Sequence, residues 1–228
     1  MGQSDFSGPE LDELAKKISC FSAVSVRESS SVELLASRGI EARHVVDPVF
    51  LLDPNDYKDD AIDPCEEPYL LVYLVTPSKL LEDCIAYLSK KHGLQVIQCF
   101  GLSKKCTCNV KDAGPAELLG YVKNADIILS ASFHATAFAT MFEKQFFTLL
   151  PDEHTNERIL DYLSMRGLTG RIITEQSDLF TELDKNIDYE MLPDYSGMIN
   201  ASKQYLSGAL DGCRADRGCR SVESGKVK

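Results

Sequence analysis

Residues Asn124 to Phe142 read Asn-Ala-Asp-Ile-Ile-Leu-Ser-Ala-Ser-Phe-His-Ala-Thr-Ala-Phe-Ala-Thr-Met-Phe. Ala125 to Leu129 form a short apolar run with β-branched residues, which predicts a strand buried on both faces. Ala135 to Phe142 are apolar on every side, which predicts a helix inside a core. A buried strand followed directly by a buried helix is the repeating element of a parallel α/β sheet.

Three polar side chains lie where this predicted strand ends and the helix begins: Ser130, Ser132 and His134. Ligands of open α/β sheets bind at the carboxyl ends of the strands. The first turn of a helix also offers unpaired N–H groups and a partial positive charge to an anion. A lone histidine at a buried turn is equally compatible with a core role, so its position alone leaves both interpretations open.

The same alternation runs along the rest of the chain. Further strands are predicted at residues 22–26, 43–46, 69–75, 94–100, 146–150 and 171–174, with helical patterns between them. Ser30 and Glu33 resemble a capping box, and Gly39, Gly93 and Gly167 are predicted to end helices. The fold class is therefore α/β, with a Rossmann-type, doubly wound parallel sheet.

The segment from Asp53 to Pro68 contains three prolines and seven acidic residues, so we predict a linker or surface loop there. The predicted organisation is a partial N-terminal Rossmann-like lobe (1–56), a linker (57–67), a C-terminal Rossmann-like lobe (68–174), a helical segment (175–210) and a disordered tail (211–228).

Composition excludes several classes of partner. The net charge of -11 over 228 residues repels phosphate backbones, so we expect no nucleic acid. No apolar run reaches the ~18 residues of a membrane span. The eight cysteines lack the paired spacing of a zinc site, and no clustered His, Asp or Glu predicts another metal. We expect mostly free thiols in a reducing, cytoplasmic compartment.

Five short motifs follow one another along the chain. They are Val24-Ser-Val-Arg27-Glu28, Val46-Asp47-Pro48, Gly114-Pro115-x-Glu117 with Asn124-Ala125-Asp126, Ser132-Phe133-His134-x-Thr136, and Arg158-Ile with Gly167-Leu168 and Arg171. This ordered set, from about residue 20 to residue 210, resembles the polysaccharide pyruvyl transferase family.

The resemblance implies a two-lobed fold like that of the GT-B glycosyltransferases, with a partial first lobe. It also implies a reaction, the transfer of a pyruvyl group from phosphoenolpyruvate to two hydroxyls of a sugar. The products are a cyclic ketal and phosphate, in the synthesis of capsular, exopolysaccharide or cell-wall glycans. The implied partners are phosphoenolpyruvate and a sugar acceptor, which can be lipid-linked, and no cofactor is implied.

The resemblance also assigns roles to individual residues. It implies His134 and Arg27 as catalytic, Ser132, Thr136, Arg27 and Glu117 as donor-binding, and Asp47 as substrate-positioning. Plainer roles remain open for most of them. Arg27 could pair with Glu28 or Glu33, Ser132 and Thr136 could cap the helix, and Glu117 could be a first-turn helix acid. Asp47 could simply end a strand. Arg158 and Arg171 could contact phosphate or sugar, although we interpret them as helix-surface charges.

The sequence departs from the family pattern at two places. The Gly- and Asn-containing strand–loop–helix that usually precedes the first motif has no counterpart, so we expect a C-terminal portion, a shortened member or an incomplete gene product. The family's Ser-Phe-His-Gly is also Ser-Phe-His-Ala here, with Ala135 in place of glycine. Two other functions stay open: a GT-B glycosyltransferase that uses a nucleotide-sugar, and a non-catalytic remnant. The activity of these 228 residues alone is left open.

Overall fold

The computed structural model describes residues 8–64, 67–101, 103, 105–150, 157–175 and 177–223, without the side chains of 180 and 213–223. The helices are α1 (Gly8–Ile18), α2 (Ser29–Ala36), α3 (Pro54–Asp59), α4 (Lys79–His92), α5 (Pro115–Asn124), α6 (Phe133–Met141), α7 (Glu157–Met165), α8 (Leu179–Glu182) and α9 (Ser196–Glu223). The strands are β1 (Ser25–Val26), β2 (Arg43–His44), β3 (Tyr69–Tyr73), β4 (Gln95–Cys99), β5 (Cys108–Val110), β6 (Ile127–Ser130), β7 (Gln145–Leu149) and β8 (Ile172–Ile173).

The chain divides into two compact units. Unit 1 consists of Met1–Leu51 together with Asp194–Lys228, and unit 2 is the continuous stretch Leu52–Pro193. The C-terminal helix α9 therefore belongs to the same unit as the first two strands. Residues 211–223, which the sequence predicted as part of a disordered tail, continue α9 instead.

Unit 1 contains a two-stranded parallel sheet formed by β1 and β2. Helix α9 is bonded to both strand segments: the Tyr205 hydroxyl donates to the Val24 carbonyl at 2.8 Å, and the Val46 N–H donates to the Ser202 hydroxyl at 3.0 Å. The predicted capping box of Ser30 and Glu33 is wrong. Helix α2 is preceded by Glu28 as its N-cap residue, without a side-chain capping hydrogen bond.

Unit 2 is built on a parallel sheet of six strands in the order β5-β4-β3-β6-β7-β8. Helices follow β3, β5, β6 and β7 along the chain, so the predicted doubly wound α/β arrangement is confirmed. Strand β6 lies inside the sheet, and all four of its residues are buried. Residues 124–142 therefore do contain a buried strand followed by a helix, and that helix contributes six buried residues.

Local signals located several helix ends correctly. Ser78 accepts a hydrogen bond from the Leu81 N–H at the start of α4, and Gly39, Gly93 and Gly167 all adopt left-handed conformations. Two predicted loops contain short elements: α3 lies in the acidic segment, held by a capping box of Asp53 and Asp56, and β5 lies in the stretch after β4.

A hydrophobic cluster of unit 2 packs α4 against apolar side chains from β3, β4, β6, β7 and β8. Cys84 and Cys99 are buried free thiols, as predicted for these two residues. Burial raises the pKa of each thiol to about 12, so neither is a reactive thiolate near neutral pH. Across the described ranges, no helix combines the length and the apolarity needed to cross a membrane.

Candidate functional site

The strand order of unit 2 defines where its chain direction reverses. From β3 the chain moves outward to β4 and β5, then crosses back to β6 and continues outward on the other side to β7 and β8. The reversal lies between β3 and β6, which are parallel neighbours with Tyr73 paired to Ser130. Crevices at the carboxyl ends of strands at such a point are the usual ligand sites of open α/β sheets.

Ser130 connects the two strand ends at this point. Its hydroxyl donates to the Tyr73 carbonyl at 2.9 Å and accepts from the Ser132 N–H, also at 2.9 Å. The residue is only 2% exposed. Ser130 therefore fixes both the β3 end and the turn that leads into α6. The sequence marked its position but assigned it no role in the site, because both bonds depend on tertiary contacts.

His134 is exposed, whereas its neighbours Phe133 and Ala135 are buried. It is the second residue of α6, and its ring meets the Phe133 ring edge-on, with centroids 5.7 Å apart. The core interpretation of this histidine is thereby excluded. The imidazole lies on the first turn of a nine-residue helix, next to the point where the sheet reverses.

Ser132 and Thr136 differ in what their hydroxyls do. Ser132 is the N-cap residue of α6, and its hydroxyl makes no hydrogen bond within the described part of the chain. Thr136 is 1% exposed; its hydroxyl donates to the Ser132 carbonyl at 3.1 Å and lies 3.3 Å from that of Thr148. Ser132 is therefore available to a ligand. The predicted donor contact of Thr136 is not supported, because this side chain is used inside the core.

Two arginines that the sequence placed on helix surfaces have other positions. The Arg158 guanidinium lies over the Phe133 ring, 4.3 Å from its centroid, which brings a positive charge beside the start of α6. Arg171 is 5% exposed and donates to the carbonyls of Phe146 and Lys185. Burial lowers the pKa of Arg171 to about 10. Arg171 is therefore a structural side chain.

Arg27 and Asp47 come together in unit 1. They follow β1 and β2, and the Arg27 Nη1 donates to the Asp47 Oδ2 at 2.7 Å. Asp47 is buried and also accepts from the Val49 N–H at 3.2 Å, whereas Arg27 is partly exposed. Asp47 thus orients the guanidinium, whose other N–H groups can still bind an anion. The alternative partners Glu28 and Glu33 are not the ones observed.

Glu117 lies in the first turn of α5. Its carboxylate folds back over Gly114, so that a Cβ added at residue 114 would stand 2.7 Å from the Glu117 Oε2. A carboxylate at this end of a helix is favourable because of the helix dipole. The Glu117 carboxylate thus lies at the N-terminal end of α5. Among the described residues, no group of three His, Cys, Asp or Glu side chains could hold a metal ion.

Comparison with family models identifies the chain. Residues 1–153 match the model described as polysaccharide pyruvyl transferase. The chain belongs to the polysaccharide pyruvyl transferase family. The resemblance inferred from the five motifs is thereby confirmed, and with it a transferase family. A search of curated proteins gives no match.

Two solved structures of similar fold are UDP-GlcNAc 2-epimerases. The UDP-GlcNAc 2-epimerase from Methanocaldococcus jannaschii is 14% identical with a TM-score of 0.53, and covers 81% of this chain and 60% of its own. The UDP-GlcNAc 2-epimerase from Neisseria meningitidis, bound to UDP-GlcNAc, is 15% identical with a TM-score of 0.54, and covers 82% and 60% respectively. This pyruvyl transferase family member therefore has the predicted GT-B-like fold and spans about 60% of the length of these neighbours.

The Ser130 hydroxyl makes two hydrogen bonds, whereas the Ser132 hydroxyl makes no capping hydrogen bond, so their removal should affect stability differently. Ser130→Ala is expected to lower the free energy of unfolding by about 1–3 kcal/mol, because the part-buried Tyr73 carbonyl and Ser132 N–H both lose their partner. Ser132→Ala is the matched control, with an expected change within about 0.5 kcal/mol. Urea unfolding monitored by circular dichroism measures both. Equal stability of the two variants would contradict the role of Ser130 in fixing the end of β3 and the turn that leads into α6.

Proposed function

We propose that this protein transfers the pyruvyl group of phosphoenolpyruvate to two hydroxyls of a sugar in a polysaccharide or its precursor, with formation of a pyruvate ketal. Family membership supports the reaction class. The observation that carries the proposal is the exposed His134 on the first turn of α6, at the reversal point of the sheet.

The start of α6 suits the donor because phosphoenolpyruvate carries two anionic groups. The helix N-terminus offers backbone N–H groups and a partial positive charge. The Ser132 hydroxyl has no competing partner within the described residues. Arg158, stacked beside His134's neighbour Phe133, adds a positive charge. These groups support the binding of a phosphate or carboxylate next to the imidazole.

The chemistry requires proton transfers in both directions. The vinyl carbon of the donor gains a proton and becomes the methyl group, one sugar hydroxyl attacks the adjacent carbon, and the C–O bond to phosphate breaks. The second hydroxyl then attacks the same carbon and closes the ketal. The two sugar hydroxyls lose two protons: one replaces the proton that the vinyl carbon gained, and the other leaves with phosphate. We assign these transfers to His134, because an imidazole can donate and accept protons near neutral pH.

The resemblance gives the remaining roles in the proposal. Arg27 would bind an anionic group of the donor through the N–H groups that Asp47 leaves unused. Asp47 would position the substrate. Glu117 would contribute to donor binding from the first turn of α5. The described cysteine side chains are free thiols, which supports a reducing compartment such as the cytoplasm.

Thermal unfolding with increasing phosphoenolpyruvate tests the donor. At about 100 times its dissociation constant, phosphoenolpyruvate is expected to stabilise the native state by about 2.7 kcal/mol, which raises Tm by about 5–10 °C. Arg27→Ala and His134→Ala should reduce this increase. Arg38→Ala is the matched control, because Arg38 lies on the surface with Asp12 and Ser37 as its partners.

The controls separate this function from the other two. UDP-GlcNAc at the same concentration is expected to leave Tm unchanged. Stabilisation by UDP-GlcNAc in place of phosphoenolpyruvate would favour the glycosyltransferase function. If neither compound stabilises the folded protein at millimolar concentration, the chain lacks a working donor site and the proposal fails.

A further inference from the structure

Two bulky apolar residues adopt left-handed backbone conformations at equivalent positions of neighbouring strands. Leu74 directly follows β3 with a φ of 49°, and Phe100 directly follows β4 with a φ of 56°. Side chains other than glycine, asparagine and aspartate are disfavoured there. Burial does not compensate for this cost, because Leu74 is 47% exposed and Phe100 is 41% exposed.

Hydrogen bonds hold the turn after β4 in this conformation. The Gln98 side-chain oxygen accepts from the Ser103 N–H at 2.9 Å, and the Asn109 amide donates to the Gly101 carbonyl at 3.1 Å. The Gln98 amide nitrogen also occupies the space over Gly101, where an added Cβ would lie 1.7 Å away. These bonds hold Gly101 and Ser103, which follow Phe100, and Phe100 itself is exposed to solvent. Backbone strain that packing does not explain is found most often at ligand sites.

These residues form a continuous surface with Tyr73, which we call the strand-end ledge (Tyr73, Leu74 and Phe100). The rings of Tyr73 and Phe100 meet edge-on with centroids 6.1 Å apart. Tyr73 pairs with Cys99 on one side and Ser130 on the other. The ledge therefore covers the carboxyl ends of β3 and β4, which lie one strand spacing of about 5 Å apart, and it ends beside Ser130 on β6.

We propose that the strand-end ledge binds the apolar face of a pyranose ring of the acceptor. A pyranose has a face of C–H groups and a rim of hydroxyls. The ledge offers aromatic and aliphatic surface, and the turn through Ser130 and Ser132 connects its β3 end to the helix that carries His134. A ring seated there would present its rim toward the start of α6. The inference rests on the proposed function, which supplies the sugar as acceptor.

The test replaces the apolar surface without disturbing the backbone. Asparagine tolerates left-handed conformations, so Leu74→Asn and Phe100→Asn should keep or raise Tm while removing the ledge. The probes are the methyl β-glycosides of galactose, glucose and mannose, measured by saturation-transfer NMR and titration. In the wild type, saturation should reach the ring C–H protons of at least one glycoside, and each variant should weaken its binding about threefold to tenfold.

Matched controls give every outcome a meaning. Met191→Asn removes an even more exposed apolar side chain elsewhere in unit 2 and should leave glycoside binding unchanged. Sorbitol, an open-chain polyol, should receive no saturation. The inference is overturned if no glycoside binds the wild type, or if both ledge variants bind as the wild type does. It is also overturned if the ledge binds something else. Weaker UDP binding by the variants would indicate a nucleotide, and a wild-type dimer that the variants turn into a monomer would indicate a second copy of the chain.

The donor experiment keeps the two proposals distinguishable. Both ledge variants should retain the Tm increase caused by phosphoenolpyruvate, because neither residue belongs to the donor contacts. Glycoside binding that depends on Phe100, without any effect of phosphoenolpyruvate on the wild type, would refute the donor and leave the ledge standing. Stabilisation by phosphoenolpyruvate without glycoside binding would refute the ledge alone.

Discussion

His134→Gln is expected to slow pyruvyl transfer by about 10²–10⁴-fold, the range that a positioned general acid–base group contributes. Glutamine keeps the polar character and similar bulk of the side chain but cannot exchange a proton near neutral pH. Because His134 is exposed on the first turn of α6, the free energy of unfolding should change by less than about 1 kcal/mol. The measurement follows conversion of phosphoenolpyruvate to phosphate by ³¹P NMR with a sugar acceptor present.

His92→Gln is the control for this prediction. It makes the same chemical change at an exposed residue of the last turn of α4, and it should leave the rate unchanged. The Tm increase with phosphoenolpyruvate separates binding from chemistry: a slow His134→Gln enzyme that still binds the donor has lost proton transfer. A rate equal to that of the wild type would remove His134 from the reaction.

Gly120→Ala is expected to cause the largest loss of stability, about 2–4 kcal/mol. Gly120 lies within α5, where a Cβ would stand 1.8 Å from the Ile62 carbonyl oxygen. This backbone cannot move away easily, since the Ile62 N–H donates to the Ala116 carbonyl at 3.0 Å. Asp63 is also held by Lys123 and Asn124, both at 2.8 Å. Either α5 or residues 61–63 must shift.

Gly208→Ala is the matched control, because it makes the same substitution inside another helix. An added Cβ at residue 208 would meet nothing within 4 Å. The variant should therefore be about 0.5–1 kcal/mol more stable than the wild type, since alanine is the better helix former. Guanidinium unfolding of both variants gives the comparison. A Gly120→Ala protein as stable as the wild type would show that residues 61–63 are free to move away from α5.

Features that depend on a few neighbouring residues were predictable from the sequence. The alternation of apolar runs gave the β6–α6 pair and the doubly wound sheet, because burial on both faces leaves a continuous apolar strand. The left-handed glycines that end helices were also correct. The exposure of His134 could not be predicted, since it depends on which side of α6 faces the core.

Features that depend on distant residues were missed. Arg171 resembled a surface charge in the sequence. In the structure it directly precedes β8 and donates to the carbonyls of Phe146 and Lys185. Ser30 and Glu33 fit a capping box by spacing, yet the helix starts two residues earlier, with Glu28 as its N-cap residue. Edge strand β5 is three residues long and resembled a loop, because its partner β4 supplies the ladder that defines it.

The division of the chain between the two units has a consequence for its synthesis on the ribosome. Every residue of unit 2 has been translated when Pro193 is added, so its sheet can form while translation continues. Unit 1 must wait, because Val24 and Val46 find their α9 partners only 181 and 156 residues later. Residues 1–51 therefore stay without the partners of their own unit while residues 52–193 are translated.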